Sequence, residues 1–194
     1  MTTDRARAIN ISVKVALMGF LAVGLVFPDW PQFAGKGWPA RCVAYPIPAL
    51  VGPVWHWARG RRPGYNHLAD ALLVTPFLLD IAGNVFNLYN TVSHFDDVLH
   101  FTNWIFLVAG FCVLVGDRVD APVIVTLGVG FGAFAIVLWE IMEYVVMQTG
   151  SAGLMLTYED TISDLALSTG GGALGAVLVW WLRTDSGGAD GVSG

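Results

Sequence analysis

Apolar segments of about 20 residues recur along this chain, and their length limits what it can fold into. A helix of about that length crosses the hydrocarbon core of a bilayer. The chain is 55% hydrophobic and only 13% charged, whereas soluble proteins carry about 25% charged residues. Because backbone groups find no water in the bilayer core, spanning segments are helices or strands of a closed barrel. No segment alternates like a strand, so the sequence predicts an all-α, polytopic membrane helix bundle.

The apolar pattern predicts six transmembrane helices in a single domain, residues 1–183, followed by a flexible cytoplasmic tail, residues 184–194. The second helix contains Pro46, Pro48 and Pro53, and proline removes a backbone donor, so we expect it to be kinked or partly unwound. The predicted helices cover about 10–28, 41–58, 68–90, 97–116, 122–148 and 160–183.

The basic residues predict the orientation of the bundle, because cytoplasmic loops carry an excess of Lys and Arg. In a six-helix alternation only Lys36 and Arg41 fall on the outer side. The other eight of the 10 basic residues fall on the inner side: Arg5, Arg7, Lys14, Arg59, Arg61, Arg62, Arg118 and Arg183. We therefore expect both termini in the cytoplasm and the segment HFDDVLHF, residues 94–101, at the outer face.

Acidic side chains gather at one predicted depth, the outer half of helices three to six. Ionisable groups inside a membrane are rare and cost about 2.5–3.5 kcal/mol each even on the gentler insertion scale. No Lys or Arg is expected in the helices at this depth. The acidic residues in this zone are Asp80, Asp96, Asp97, Glu140, Glu143, Glu159, Asp160 and Asp164.

A divalent metal ion is the simplest way to neutralise such a cluster. Carboxylates and imidazoles from facing helices form metal sites in helix bundles, and Asp97 and His100 have the recurring i, i+3 spacing. Carboxylates favour Mg²⁺, Mn²⁺ or Ca²⁺, and histidine also admits Zn²⁺. The predicted metal ligands are Asp97, His100, Glu143, Asp160 and Asp164. Asp80 and Glu140 are the candidate catalytic or proton-relay residues, and the supporting polar residues are Asn84, Asn87, Asp96 and Asn103.

Ordinary structural roles compete with these assignments. Asp96 and Asp160 lie at predicted helix starts, where a carboxylate caps free N–H groups. Asn84 and Asn87 are typical of hydrogen-bonding partners between membrane helices. Small-residue pairs, Gly171 with Gly175 and Gly128 with Gly132, predict that helices five and six make close contacts that bring their carboxylates to one interior.

The segments LLDIAGNVFNLYN, FDDVLHF, WEIMEY and YEDTISDLALSTGGGALGA resemble the YjdF-type inner-membrane proteins of bacteria. The likeness covers roughly helices three to six. It implies a multi-pass protein of the bacterial cytoplasmic membrane with these polar residues at its centre, and it supplies no substrate.

Three functions remain open at this stage. The first is a metal-dependent hydrolase or transferase that acts on a lipid or lipid-linked substrate at the outer leaflet, where the bound ion would activate water. The second is a cation or proton carrier. The helices are mainly apolar below Asp80, and this counts against a carrier. The third is a structural or accessory subunit. Eight acids without a basic partner count against it, because like charges repel unless several are protonated. We expect membrane lipids as partners and no nucleic acid.

The orientation can be tested with single cysteines in intact cells. A cysteine at Arg61 should be protected from a membrane-impermeant thiol reagent, because the inner loop faces the cytoplasm. A cysteine at Lys36 should react. Outward labelling at Arg61 would contradict the predicted alternation.

Overall fold

The computed structural model describes residues 2–61, 64–150 and 156–189, and these residues form helices and turns without a strand. Two single 3₁₀ turns, Pro31–Phe33 and Gly116–Arg118, lie between helices. The helices are α1 Thr3–Val26, α2 Trp38–Ala44, α3 Pro48–Ala58, α4 His67–Val85, α5 Leu88–Thr91, α6 Phe95–Val115, α7 Ala121–Gln148 and α8 Tyr158–Ala189.

Five of the described helices, α1, α4, α6, α7 and α8, are long and apolar enough to cross a membrane. This confirms the predicted all-α membrane bundle. The six-helix count stays a prediction, because the second predicted helix is not continuous.

The break in the second predicted helix lies at the first two of its three prolines. Pro46 lies between α2 and α3 and Pro48 begins α3, whereas Pro53 is tolerated inside α3. Because a proline inside a helix lacks a donor and clashes with the preceding turn, the helix stops and restarts there. Residues 41–58 are therefore two short helices, and the first begins earlier than predicted, at Trp38.

The contacts of α2 and α3 show that the broken segment still follows α4 along its length. Arg41 of α2 forms an ion pair with Asp80, near the end of α4. The carbonyl of Ala49 in α3 accepts a hydrogen bond from Lys14, which also contacts Asp70 in the first turn of α4. The segment therefore runs antiparallel to α4.

Three further predicted boundaries are wrong. The first predicted helix, 10–28, begins at Thr3 instead of residue 10. The third predicted helix, 68–90, ends at Val85, because Asn87 adopts a left-handed backbone conformation with φ 60°. Asn tolerates that conformation better than most residues, and here it turns the chain into α5. Asn87 is thus not on the helical face of Asp80 and Asn84. At the other end of the chain α8 continues to Ala189, past the predicted end at residue 183, and residues 190–194 of the predicted tail lie outside the described residues.

The predicted small-residue faces do make close contacts with neighbouring helices. A Cβ atom added at Gly175 would lie 2.6 Å from the carbonyl oxygen of Ile105, and one at Gly171 would overlap the carbonyl oxygen of Phe101. On α7, a Cβ at Gly128 would lie 2.7 Å from the Cβ of Ala176. Helix α8 therefore lies directly against the backbone of α6.

A buried ion pair fastens α1 to the beginning of α4. Asp70 is 0% exposed. One of its oxygens, Oδ2, accepts hydrogen bonds from Lys14 at 2.5 Å, Asn10 at 2.8 Å and Tyr65 at 2.5 Å. Three donors compensate the charge that would otherwise be costly to bury.

Three arginines meet at one end of the bundle, which we call the basic end. Arg59 pairs with Asp117 at 2.9 Å, Arg118 lies over the ring of Trp55, and Arg183 donates to the carbonyl of Val119. All three belong to the set predicted to be cytoplasmic. The opposite end, which holds Asp96 and Asp160, is called the acidic end below.

Substituting Gly175 by Ala should destabilise the bundle. The added methyl group would collide with the α6 backbone, and overpacking of this kind costs about 1–3 kcal/mol. Gly19→Ala is the matched control, since a Cβ at Gly19 meets nothing within 4 Å and Ala favours a helix. Thermal unfolding in detergent should show a lower midpoint for Gly175→Ala alone, and equal midpoints would contradict the close contact.

Candidate functional site: a polar cavity at the acidic end

A cavity of about 1010 Å³ opens between α2, α4, α6 and α7. One part of its wall is apolar and aromatic and includes Phe77, Leu107, Phe131, Leu138 and Trp139. The other part is polar. Of the residues predicted for the site, those that line the cavity are Asp80, Asn84, Asp96, Asp97, His100, Asn103, Glu143 and Asp160.

Three of the predicted residues lie elsewhere. Asp164 is buried and contacts His100 of the cavity wall. Glu140 is buried on α7, close to one turn before Glu143. Asn87 lies ahead of α5, where its Oδ1 accepts a hydrogen bond from Asn90 at 2.7 Å.

Asp80 is the partner of a buried arginine, which the sequence analysis did not expect at this depth. Arg41 and Tyr45 both donate to Oδ2 of Asp80, and Tyr89 donates to Oδ1. Only 11% of the Arg41 side chain and 8% of the Asp80 side chain are exposed. The prediction that no Lys or Arg lies among the acids is therefore wrong. The role of Asp80 in catalysis or proton transfer stays a prediction.

The two tyrosines are held in the state that can donate to Asp80. A tyrosine hydroxyl has an ordinary pKa of about 10, well above neutral pH. Burial and the Asp80 carboxylate raise the pKa of Tyr89 further. Both hydroxyls therefore keep their protons at neutral pH and can hydrogen-bond to the carboxylate.

A second cluster joins α6 and α8. Nε2 of His100 lies 3.7 Å from Oδ1 of Asp96 and 3.6 Å from Oδ1 of Asp164. The three possible ligand atoms all lie within 4.8 Å of one another. We call Asp96, His100 and Asp164 the α6–α8 triplet.

Ser168 orients the imidazole of this triplet. Its buried hydroxyl lies 3.1 Å from Nδ1 of His100 and 3.5 Å from the His100 carbonyl oxygen, to which it can donate. A hydroxyl that donates to the carbonyl accepts from Nδ1–H, and this arrangement leaves the lone pair of a neutral imidazole on Nε2. A lone pair that faces two carboxyl groups calls for a proton between them, carried by Nε2 or by one of the carboxyl groups, or for a metal ion.

Asp97, the neighbour of Asp96, belongs to a different set of contacts. Its Oδ2 lies 2.8 Å from Nδ1 of the exposed His94, and its Oδ1 accepts a hydrogen bond from Ser163 at 3.4 Å. The structure thus brings Asp96 to His100, where the sequence analysis expected Asp97. Asp96 and Asp97 precede His100 by four and three residues, so both lie near the face of α6 that carries His100. The position of α8 decides which of the two carboxylates lies close to Asp164.

Several buried oxygens near the cavity have no donor among the described residues. They are both carboxylate oxygens of Glu140 and the amide oxygens Oδ1 of Asn84 and Asn103. Buried polar atoms are nearly always hydrogen-bonded. Asn84 and Asn103 line the cavity, so their amide oxygens are candidates for contact with a ligand, whereas Glu140 does not line it.

The family model of predicted membrane proteins designated DUF2238 matches residues 13–185. The chain belongs to the DUF2238 family. The YjdF-type resemblance noted in the sequence is consistent with this family. No curated protein and no solved structure matches the chain.

Sequence reasoning missed four residues of the site: Arg41, Tyr45, Tyr89 and Ser168. Two signals were available. Arg41 is one of only two basic residues predicted on the outer side, and Ser168 lies on the helical stripe that carries Gly171 and Asp164. Neither tyrosine carries a comparable signal, because its partner lies on another element.

Arg41→Met should strongly destabilise the protein. It would leave the Asp80 carboxylate buried without its cationic partner, which typically costs about 3–5 kcal/mol. Arg59→Met is the matched control. It breaks an ion pair whose acid, Asp117, is 44% exposed, and exposed ion pairs contribute about 0–1 kcal/mol to stability. Thermal unfolding of the two variants should differ accordingly. An Arg41→Met protein as stable as Arg59→Met would contradict the role of the buried pair.

Proposed function

We propose that this protein is a metal-dependent membrane enzyme that hydrolyses, or transfers a group on, an amphipathic substrate held in the cavity. The observation that carries the proposal is the α6–α8 triplet, two of whose members, Asp96 and His100, line the polar wall of a cavity with an apolar second wall. A lipid or lipid-linked molecule is the class of substrate that has both kinds of surface.

The spacing of the triplet supports binding of a divalent ion. Ligands about 2.0–2.2 Å from such an ion lie roughly 3.0–3.7 Å from one another. The two separations from Nε2 of His100, 3.6 and 3.7 Å, are compatible with this range. Two carboxylates would balance the charge of the ion. A metal-bound histidine usually donates a hydrogen bond from its other ring nitrogen, and here the Ser168 hydroxyl would accept that bond from Nδ1.

Each remaining group has a role consistent with the proposal. A bound ion would polarise the scissile group and activate water. Glu140 is buried on α7 near the Thr161 hydroxyl and lies within electrostatic range of Asp160 and Asp96. It is the candidate to accept a proton. The aromatic wall around Trp139 would hold the apolar part of the substrate.

A structural or accessory role is the second candidate. It is favoured by the Arg41–Asp80 and Lys14–Asp70 pairs, which give two acids basic partners and join α2 and α1 to α4. A carrier finds less support, because Val74 and Pro76 are buried apolar residues of α4 between Asp70 and Asp80.

Metal content tests the proposal. The purified protein should contain a stoichiometric divalent ion by elemental analysis, and His100→Ala and Asp164→Asn should lose it. His94→Ala is the matched control, since the side chain of His94 is 82% exposed and contacts Asp97 instead. Adding metal at about 100 times its Kd should stabilise the wild type by about 2.7 kcal/mol, with no such gain in His100→Ala.

Activity is tested on vesicles made from total bacterial lipids. The wild type with metal should convert at least one lipid species, detected by mass spectrometry, and His100→Ala should not. If neither metal binding nor turnover is found and His100→Ala lowers stability equally with and without chelator, the structural role is correct instead.

A further inference from the structure

Many of the hydrogen-bond donors on the cavity wall are already used by the protein itself. Arg41, Tyr45 and Tyr89 all donate to the Asp80 carboxylate. The amide nitrogen of Asn84 donates to the Asp80 carbonyl at 3.0 Å, and the indole of Trp104 donates to the carbonyl of Gly132 at 3.0 Å. The tyrosine hydroxyls and the indole have no further hydrogen to donate, and the positive charge of Arg41 is already balanced by Asp80.

Acceptors, by contrast, remain available on the same wall. Glu143 lines the cavity, and its carboxylate makes no hydrogen bond or ion pair with a residue in the described part of the chain. Asn84 and Asn103 also line the cavity and are only 1% and 8% exposed. The Oδ1 atom of each lacks a donor among the described residues. The Asn84 amide is oriented by its bond to the Asp80 carbonyl, so its oxygen is the free end.

Aromatic rings surround this acceptor-rich region. Trp139 lies one helical turn before Glu143 on α7. Its ring is 6.3 Å from Tyr45, 6.2 Å from Phe77 and 6.3 Å from Trp104 between centroids. Aromatic faces attract ammonium groups, and the attraction grows where water is excluded.

We infer that the cavity binds an amphipathic primary amine, with its ammonium group at Glu143 and its apolar chain against the aromatic wall. An ammonium brings three N–H donors and a positive charge, which match a free carboxylate and unpartnered amide oxygens. An anionic head group would instead meet the carboxylates of Glu143, Asp97 and Asp160. Of the two basic residues that line the cavity, Arg41 is already paired with Asp80, and Lys36 lies over the ring of Tyr89. The inference rests on the proposed function only in placing the substrate in this cavity, and it names the chemical class of that substrate.

Binding of matched probes to the full chain in lipid nanodiscs tests the inference. The probes are dodecylammonium, dodecanol and dodecyl phosphate, which share one chain and differ in head-group charge. Dodecylammonium should bind most tightly. Binding is followed by the change in tryptophan emission, to which Trp104 and Trp139 of the cavity contribute. Glu143→Gln should weaken dodecylammonium binding about tenfold or more, the usual effect of losing one charge-assisted hydrogen bond. Dodecanol binding should not change.

Glu159→Gln is the matched control, because Glu159 is exposed at the start of α8 and does not line the cavity. It should bind all three probes like the wild type. Dodecyl phosphate binding as tightly as dodecylammonium, or equal behaviour of Glu143→Gln and Glu159→Gln, would overturn the inference.

The same measurement in His100→Ala separates this inference from the proposed function. If that variant loses metal but keeps its preference for dodecylammonium, amine binding is supported independently of the metal. If the wild type binds metal but shows no preference for dodecylammonium, the inference fails and the proposed metal site stands.

Discussion

The acidic end of this bundle depends on the buried pair between Arg41 and Asp80. A carboxylate inside a membrane helix needs compensation, and one cation with two tyrosine hydroxyls provides it here. These donors come from α2, from the turn after α2 and from α5, so a single carboxylate ties three elements to α4. Because α2 is short and is followed by prolines, this pair sets its position, and with it one wall of the cavity.

The acids of the chain divide into two groups by what surrounds them. Asp70 and Asp80 each accept hydrogen bonds from several protein donors, so their charges are already balanced. Asp96 and Asp164 face a histidine nitrogen at distances too long for hydrogen bonds. Carboxylates whose charge is balanced by protein donors stabilise the fold, whereas carboxylates without such donors can bind a ligand or an ion. This difference, more than the number of acids, locates the candidate site.

The proline break explains why an apolar surface reaches the polar site. Where α2 stops, Tyr45 turns inward to Asp80 and its ring meets Trp139 of α7. One residue thus belongs to both the charged network and the aromatic wall. A substrate with a polar head and an apolar chain would contact both parts of the cavity without leaving a charge against hydrocarbon.

The sequence alone determined the membrane class, five of the helices and the tight glycine faces, because these follow from hydrophobic length and helical periodicity within one segment. It also placed most of the polar residues at one end. Only the tertiary structure decided the partners. Whether Asp96 or Asp97 meets His100 and Asp164 depends on how α6 rotates against α8, since both residues lie near one helical face. Whether Arg41 reaches Asp80 depends on where the prolines stop α2. The rotation of α6 and the position of Arg41 are both set by contacts between helices. The sequence pattern of a single helix does not predict those contacts.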